Sequence, residues 1–252
     1  MWLPYALEAR YELTKMIRLR VFAIMTLGFP VMFYLLFGVA LSGSRAMGGQ
    51  NLSTPLLGSY GAFGVIGAAL FSFGVGVAVE RGQGWLLLKR ATAMPPQVYI
   101  AGKVGASMAF CLIVVALMAA CGALFGGVRL AASQWVLMTA SLVLGSIPFC
   151  AIGLTFGFLC GPNSAPGVVN VIHLVGALAS GLWIPLDLLP RAFRIVGPLL
   201  PQYHLGQLAL DVIGRSREPH ALAHVGALAV WAIVAGVAAV AAYRRDEGKL
   251  YG

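Results

Sequence analysis

The chain has 252 residues, of which 60% are hydrophobic and only 10% are charged, and its mean hydropathy is +0.89. Soluble domains are about half apolar and about a quarter charged, so this composition excludes an ordinary soluble protein and predicts an integral membrane protein. The net charge of +9 does not indicate nucleic-acid binding, because the basic residues cluster beside apolar runs, where anionic lipid headgroups explain them more simply.

The apolar runs are long and uninterrupted, which predicts an all-α fold. A spanning segment must satisfy its backbone polar groups internally, and barrel strands would show short alternating segments instead. The four cysteines lie within or beside these runs and lack a Cys-x-x-Cys spacing. We interpret them as small buried hydrophobes and expect neither a disulfide framework nor a metal site.

Residues 1–20 combine charged side chains with apolar ones at helical spacing. This pattern predicts a helix that lies in the membrane interface before the first span. A positively charged flank that only fixes orientation is an equally good interpretation. A cleaved signal peptide is not expected, because the apolar run over 21–42 is too long.

Six apolar stretches reach the length of about 20 residues that a transmembrane helix needs. They are 21–42, 54–79, 104–126, 133–158, 165–186 and 220–243. With the N-terminus inside, eleven Lys and Arg residues fall on the inner segments and six on the outer ones. The positive-inside rule therefore favours a cytoplasmic location for both termini.

The outer segment 187–218, before the last predicted span, is broken by prolines yet remains apolar. Short helices that dip part-way into the outer leaflet would reconcile these two properties. A long outer loop is the alternative, and the apolar content disfavours it.

The predicted spans contain no Asp, Glu, Lys or Arg, which argues against an ion-coupled carrier or a pump that powers itself. The chain also lacks a Walker A motif and any recognisable catalytic constellation, so we expect neither ATP binding nor enzymatic activity. His220 and His224 have the i, i+4 spacing of metal ligands, but without a third ligand we predict no metal site.

Two polar or aromatic stripes on the predicted spans are candidates for a solute path. In the fifth span Asn170, His173, Ala177 and Ser180 share one face, and in the second span aromatic residues alternate with glycines. Helix packing alone would explain both stripes, so the two interpretations stay open. The candidate path residues are Tyr60, Phe63, Phe71, Asn170, His173 and Ser180.

The segment 80–103 is the longest charged interruption in the first two thirds of the chain, and it is suited to contact a soluble cytoplasmic partner. It reads Glu80-Arg81-Gly82-Gln83-Gly84-Trp85-Leu86-Leu87-Leu88, then Ala91-Thr92-Ala93-Met94-Pro95 and Lys103. A second motif reads Gly181-Leu182-Trp183-Ile184-Pro185-Leu186-Asp187-Leu188-Leu189-Pro190, then Leu199-Leu200-Pro201-Gln202-Tyr203. Together these motifs resemble the permease subunits of ATP-binding-cassette exporters, in the type-2 group of daunorubicin-type drug, Nod-factor and capsular-polysaccharide exporters. The chain departs from the common pattern at Trp85, where a small residue often follows the glycine.

The resemblance covers essentially the whole chain and implies one permease domain over 1–252 in a bacterial inner membrane. It implies a homodimer bound to two separate ATPase subunits, which carry the ATP and Mg²⁺, with the 80–103 loop as the coupling element. The expected coupling residues are Glu80, Arg81, Gln83, Gly84, Lys89 and Arg90. Headgroup anchoring is the alternative role for the last two. The broken outer segment would act as an outer gate, with Pro185, Asp187, Pro190, Pro201 and Tyr203 as its residues.

The expected cargo is an amphipathic or lipophilic small molecule, such as a drug-like compound or a lipid, because the predicted path carries no fixed charge. Export of a lipid-linked glycan or polysaccharide is an alternative, and it would need a lining rich in aromatic and polar side chains. A membrane scaffold subunit without cargo is an alternative from another functional class.

Overall fold

A computed structural model describes residues 2–42, 52–91, 95–216 and 220–251. Helices dominate this part of the chain, and it contains no β-strand, as the sequence predicts. The α-helices are α1 (Leu3–Arg18), α2 (Arg20–Phe33), α3 (Ser53–Gly82), α4 (Trp85–Ala91), α5 (Pro96–Leu124), α6 (Ala132–Leu144), α7 (Ile147–Leu159), α8 (Ala165–Ala179), α9 (Arg191–Val196), α10 (Pro201–Val212) and α11 (Ala221–Tyr251). A π-helical segment, Tyr34–Ala40, continues α2.

Helix α3 is the centre of the bundle. It is buried along most of its length and packs against α2, α5, α7, α8 and α10. Glycines make the closest of these contacts possible: a Cβ atom on Gly153 of α7 would lie 2.9 Å from the carbonyl oxygen of Leu70, and one on Gly157 would lie 2.8 Å from that of Phe73. Without side chains at these two positions, the backbones of α3 and α7 can approach each other directly.

Five helical segments in the described residues are long and apolar enough to cross a membrane, whereas the sequence predicted six. They are Arg20–Ala40, Ser53–Gly82, Gln97–Leu124, Ala132–Leu159 and Ala221–Asp246. The fourth contains a break at Gly145 and Ser146, between α6 and α7. The predicted span at 165–186 forms a helix only over Ala165–Ala179.

Helix α8 is shorter than predicted because a glycine ends the helix before the apolar run ends. Its 15 residues measure about 22 Å, less than the roughly 30 Å of a bilayer core. Gly181 has a φ of +80°, and the amide of Leu182 donates to the carbonyl of Ala177. This left-handed glycine cap ends the helix even though apolar residues follow it.

Several helices also extend beyond the predicted span boundaries. Helix α3 continues to Gly82 and α5 begins at Pro96, so Glu80, Arg81 and Lys103 belong to long helices. The prediction that the spanning helices carry no charge is therefore wrong at their ends. Lys103 is almost fully buried. Its charge is tolerated there because carboxylates from two other helices contact it.

The N-terminal segment forms the predicted helix over Leu3–Arg18. Leu7 and Tyr11 lie on its exposed face, while Glu8 and Glu12 are buried on the face toward α5. The helix thus exposes apolar side chains such as Leu7 and Tyr11 and buries two carboxylates, which suits an apolar surface outside the bundle.

The outer segment is built from short pieces, as the prolines predict. A 3-10 turn (Leu186–Leu188), α9, a second 3-10 turn (Gly197–Leu199) and α10 follow one another. Helix α10 is the best packed of them and contacts α3, α6 and α11, with Leu205 and Ala209 buried.

Replacing Gly157 with alanine should destabilise the bundle, because the new methyl group would collide with α3 backbone. Overpacking of this kind costs about 1–3 kcal/mol. The unfolding temperature of the purified protein should fall for Gly157→Ala. The matched control is Gly236→Ala in α11, where a Cβ atom would meet nothing within 4 Å. Equal unfolding temperatures for the two variants would contradict the close packing of α3 and α7.

Candidate functional site

An ion-pair network lies where α1, α3 and α5 meet. The ammonium group of Lys103, whose side chain is 2% exposed, lies 2.7 Å from Glu12 Oε2 and 2.7 Å from Glu80 Oε1. Lys15 lies 2.9 Å from Glu12 Oε2 and also pairs with Glu80. Two ammonium groups therefore balance two carboxylates, which makes burial of Glu12, Glu80 and Lys103 tolerable, while Lys15 is partly exposed.

Further contacts fix the protonation states in this network. The Tyr99 hydroxyl donates to Glu80 Oε2 at 2.6 Å. Burial opposes ionisation of Glu12, but the ammonium groups of Lys103 and Lys15 outweigh it and lower the pKa of that carboxyl to about 2. Burial also opposes the charge of Lys15, and Glu80 and Glu12 outweigh it and raise the pKa of that amine. Glu12 and Lys15 are therefore both charged at neutral pH.

Arg81, the next residue along α3, binds the other side of the bundle. Its guanidinium donates to the carbonyl of Phe158 and, at 2.6 Å, to that of Cys160, so it satisfies carbonyl groups at the end of α7. It also lies 3.1 Å from Asp246 Oδ1 in α11. A cation at the C-terminal end of a helix is further favoured by the helix dipole.

These two sets of contacts place both terminal helices at one end of the bundle. Glu12 and Lys15 bring α1 to this end, and Asp246 brings α11. The turn between α7 and α8 is here as well, with Pro162 against Gly82. We call this region the charged end.

The predicted coupling residues have different surroundings. Glu80 and Arg81 are engaged within the chain, Gln83 is exposed, and Gly84 adopts a φ of +75° in the turn before α4. The side chains of Lys89 and Arg90 lie outside the described residues.

Sequence reasoning missed two exposed apolar side chains on α4. Trp85 is 54% exposed and Leu88 is 59% exposed, and their i, i+3 spacing places them on one helical face. Apolar side chains beside the polar side chain of Gln83 form a surface that a protein partner can cover. The signal was present at Trp85, which departs from the family pattern.

A cavity of about 470 Å³ lies between α2, α3 and α8. It contains four of the six predicted path residues, Phe63, Phe71, Asn170 and His173. From Val75 to Phe63 it follows α3 for about 18 Å, starting near the charged end. The walls are almost entirely apolar.

The first span contributes the part of this cavity that sequence reasoning missed. Met25, Thr26 and Phe29 of α2 line it, and Met25 and Phe29 are also exposed. The cavity is therefore open at the side of the bundle between α2 and α8.

An aromatic cluster closes the cavity toward the other end of the bundle. The His173 ring stacks on the Phe63 ring with 4.2 Å between the ring centroids. The centroid of the Trp183 ring lies 5.4 Å from that of Phe63 and 5.8 Å from that of Phe33. Tyr60, predicted as a path residue, belongs to this cluster and stacks on Phe33 at 6.1 Å. Trp183 directly connects the cluster to the outer segment.

Ser180, the remaining path candidate, does not line the cavity. It is buried at the end of α8, where its hydroxyl donates to the carbonyl of Ala177 at 3.2 Å.

The predicted outer-gate residues are spread along the outer segment. Pro185, Asp187 and Pro190 are exposed, Pro201 is buried at the start of α10, and Tyr203 is half-buried. The Tyr203 ring lies 5.9 Å from His224 of α11.

Metal ligands do not converge in the described part of the chain, where no three His, Cys, Asp or Glu side chains could hold an ion. His224, considered above with His220, contacts His204 of α10.

Lowering the pH should remove the stabilisation that the Glu12 carboxylate supplies. Because its pKa in the folded protein is lowered from 4.5 to about 2, this contribution is complete above pH 4.5 and is lost as the pH falls toward 2. The difference in unfolding temperature between the wild type and Glu12→Gln should therefore be largest above pH 4.5 and shrink below it. High salt should change this difference little, since buried pairs are poorly screened. A difference that is independent of pH would contradict the network.

Comparison with known proteins bears on the same regions. The ABC-2 type transporter family matches residues 7–213. The Bacillus subtilis (strain 168) protein named "Putative transport permease YvfS" is 25% identical over 202 residues, which cover 80% of this chain and 82% of that protein. The resemblance predicted from the sequence motifs is thus confirmed at the level of the family, whose members are non-catalytic transmembrane subunits that pair with ABC ATPases. The chain is a multi-pass membrane protein, and it belongs to the ABC-2 type transporter family.

Proposed function

We propose that this permease subunit moves an amphipathic or lipophilic small molecule out of the cytoplasm or the inner leaflet. The observation that carries the proposal is the apolar cavity between α2, α3 and α8, open at the side of the bundle and closed at one end by aromatic rings. A molecule dissolved in the bilayer could enter such a cavity directly between α2 and α8.

The orientation follows from charge. The charged end carries both terminal helices and the 80–103 segment, which hold most of the basic residues. The positive-inside rule favours a cytoplasmic charged end and hence cytoplasmic termini in a bacterial inner membrane. In that orientation the cavity opens in the inner half of the membrane, and the aromatic cluster separates it from the outside.

The driving force would come from a partner. Two copies of an ATP-binding-cassette ATPase would carry the ATP and Mg²⁺, and two copies of this chain would form the transmembrane unit. The exposed face of Trp85 and Leu88, with Gln83 beside it, supports α4 as the contact with the ATPase. Lys89 and Arg90 follow on the same helix and would add charge to this contact.

Glu80 and Arg81 would transmit the motion instead of touching the partner. Their side chains are engaged with α1, α5, α7 and α11, so a displacement of α4 would act on all four helices through the end of α3. Gly84 gives the backbone the left-handed turn that joins α3 to α4. The outer gate would then be the aromatic cluster together with the outer segment, including Pro185, Asp187, Pro190, Pro201 and Tyr203.

The cavity walls favour a lipophilic cargo over a glycan. Thr26, Asn170 and His173 are the polar side chains among residues that are otherwise apolar. A glycan would leave many hydroxyl groups without hydrogen-bond partners in such a cavity, and each would cost free energy.

Removing the exposed apolar face of α4 should weaken binding of the ATPase. Truncation of a central apolar contact costs about 1–2 kcal/mol, so Trp85→Ala with Leu88→Ala should reduce affinity about tenfold or more. Affinity would be measured between the reconstituted permease and its ATPase. Leu124→Ala is the control, because that leucine is also exposed but lies at the far end of α5. If the α4 variant binds as the wild type does, α4 is not the coupling element.

Filling the cavity should block cargo without harming the fold. A tryptophan at Thr26 would occupy much of the space, whereas Ile24→Trp on the same helix would point away from it. Compound-stimulated ATP hydrolysis by the reconstituted complex should be lost for Thr26→Trp and kept for Ile24→Trp. Equal stimulation of both variants would show that cargo travels elsewhere.

A further inference from the structure

Two histidines from different helices face each other at the end of the bundle away from the charged end. His204 Nδ1 in α10 lies 3.0 Å from His224 Nδ1 in α11. This is the distance of an N–H···N hydrogen bond, so one of the two nitrogens must carry a hydrogen. If both were deprotonated, two lone pairs would face each other.

Asp211 supplies an independent reason for a positive charge at this place. Its side chain is 3% exposed, and among the described residues no hydrogen-bond partner contacts its Oδ1. The other oxygen, Oδ2, accepts from the backbone amide of His220 at 3.1 Å and lies 3.9 Å from His224 Nε2. A buried carboxylate is costly without a counter-charge, and the His224 imidazole can provide one.

A single added proton on the pair can satisfy all of these contacts, and it is best placed on His224, which is next to Asp211. His224 is an imidazolium whose Nδ1–H donates to His204 and whose Nε2–H faces Asp211. His204 is neutral, accepts at Nδ1 and keeps its own hydrogen at Nε2. The carbonyl of Pro198 accepts a hydrogen bond from the His204 ring, which agrees with this tautomer.

We propose that His204 and His224 share a single added proton and form a latch that holds α10 against α11 and that acid opens. A second proton would abolish the N–H···N bond and would place two cations about 3 Å apart. The histidine latch is this pair, His204 and His224.

A further hydrogen bond joins the outer segment to α11 near the latch. Trp231 Nε1 of α11 donates to the carbonyl of Leu199, just before α10, at 3.2 Å. Opening the latch would therefore loosen the outer segment from the last helix. If the proposed function is correct, acid on the outer side of the membrane would also favour opening of the outer gate. The proposal that the two histidines share a proton does not depend on that function.

The direction of the pH response follows from the surroundings. Tyr203, Asp211 and His220 are the other titratable groups around the pair in the described part of the chain. Burial and the neighbouring His224 lower the pKa of His204 below its usual 6.5. Because the pKa of His204 is lowered when the latch is closed, His204 binds the second proton more tightly when the latch is open. The latch is therefore complete above pH 6.5, and the open fraction rises up to about tenfold for each pH unit below it.

The shared proton can be observed directly by NMR of the full chain in lipid nanodiscs with ¹⁵N-labelled histidine. The chain has four histidines, so single substitutions assign the signals. As the pH falls from 8, we expect the pair to bind one proton before the other, with one imidazolium and one neutral ring at the intermediate stage, and His224→Gln should shift the titration of His204 upward. Independent titration of the two rings, with His204 unaffected by His224→Gln, would overturn the proposal. So would signals that change on adding a chelator and return with Zn²⁺, because the two rings would then be metal ligands.

The mechanical part of the latch needs a distance measurement. Spin labels at Leu199 and Leu222, both exposed, would report the separation of the outer segment and α11 after the native cysteines are replaced by alanine. We expect the distance distribution to broaden below pH 6.5 in the wild type and in the control His220→Gln. His204→Asn keeps an acceptor but cannot take a second proton, so its distribution should stay narrow. Equal broadening in His204→Asn, or no broadening in the wild type, would contradict the latch. Neither experiment uses an ATPase or a cargo, so a failure here leaves the proposed transport function untouched.

Discussion

Two adjacent residues of opposite charge at the end of the central helix hold the charged end together. Successive residues of an α-helix are rotated by about 100°, so Glu80 and Arg81 point to different sides of α3. Glu80 pairs with Lys15 of α1 and Lys103 of α5, while Arg81 binds the end of α7 and Asp246 of α11. The last turn of α3 thus contacts α1, α5, α7 and α11 through these two side chains. This turn lies directly before α4.

This arrangement gives the 80–103 segment two separate parts. The exposed apolar face of α4 is available to a partner, whereas the buried charges on either side connect α4 to the bundle. A buried ion pair is weak evidence for stability in itself, but breaking it is costly, so the geometry around it is well defined. If α4 is the contact with the ATPase, as proposed above, this connection would carry its motion to the helices around the cavity.

The sequence predicted the helical class, the helix at the N-terminus, the short pieces of the outer segment and four of the cavity residues. These features follow from hydropathy, helical periodicity and proline, which act locally. The short α8 was missed because a single residue, Gly181, stops the helix within a continuous apolar run. The pairing of Glu12 with Lys103 could not be predicted, because those residues are distant in sequence and only the packing of α1 on α5 brings them together. The same holds for His204 and His224, and for the contribution of α2 to the cavity.

A double-mutant cycle can measure whether the charges around Glu80 act together to fix the charged end. The free energy of unfolding would be measured for the wild type, Glu80→Gln, Lys103→Met and the double variant. Residues in one ion-pair network typically show coupling energies of about 0.5–3 kcal/mol, and the 2.7 Å contact predicts a value in the upper part of this range. Additive effects of the two substitutions, with a coupling energy near zero, would show that Glu80 and Lys103 do not act together.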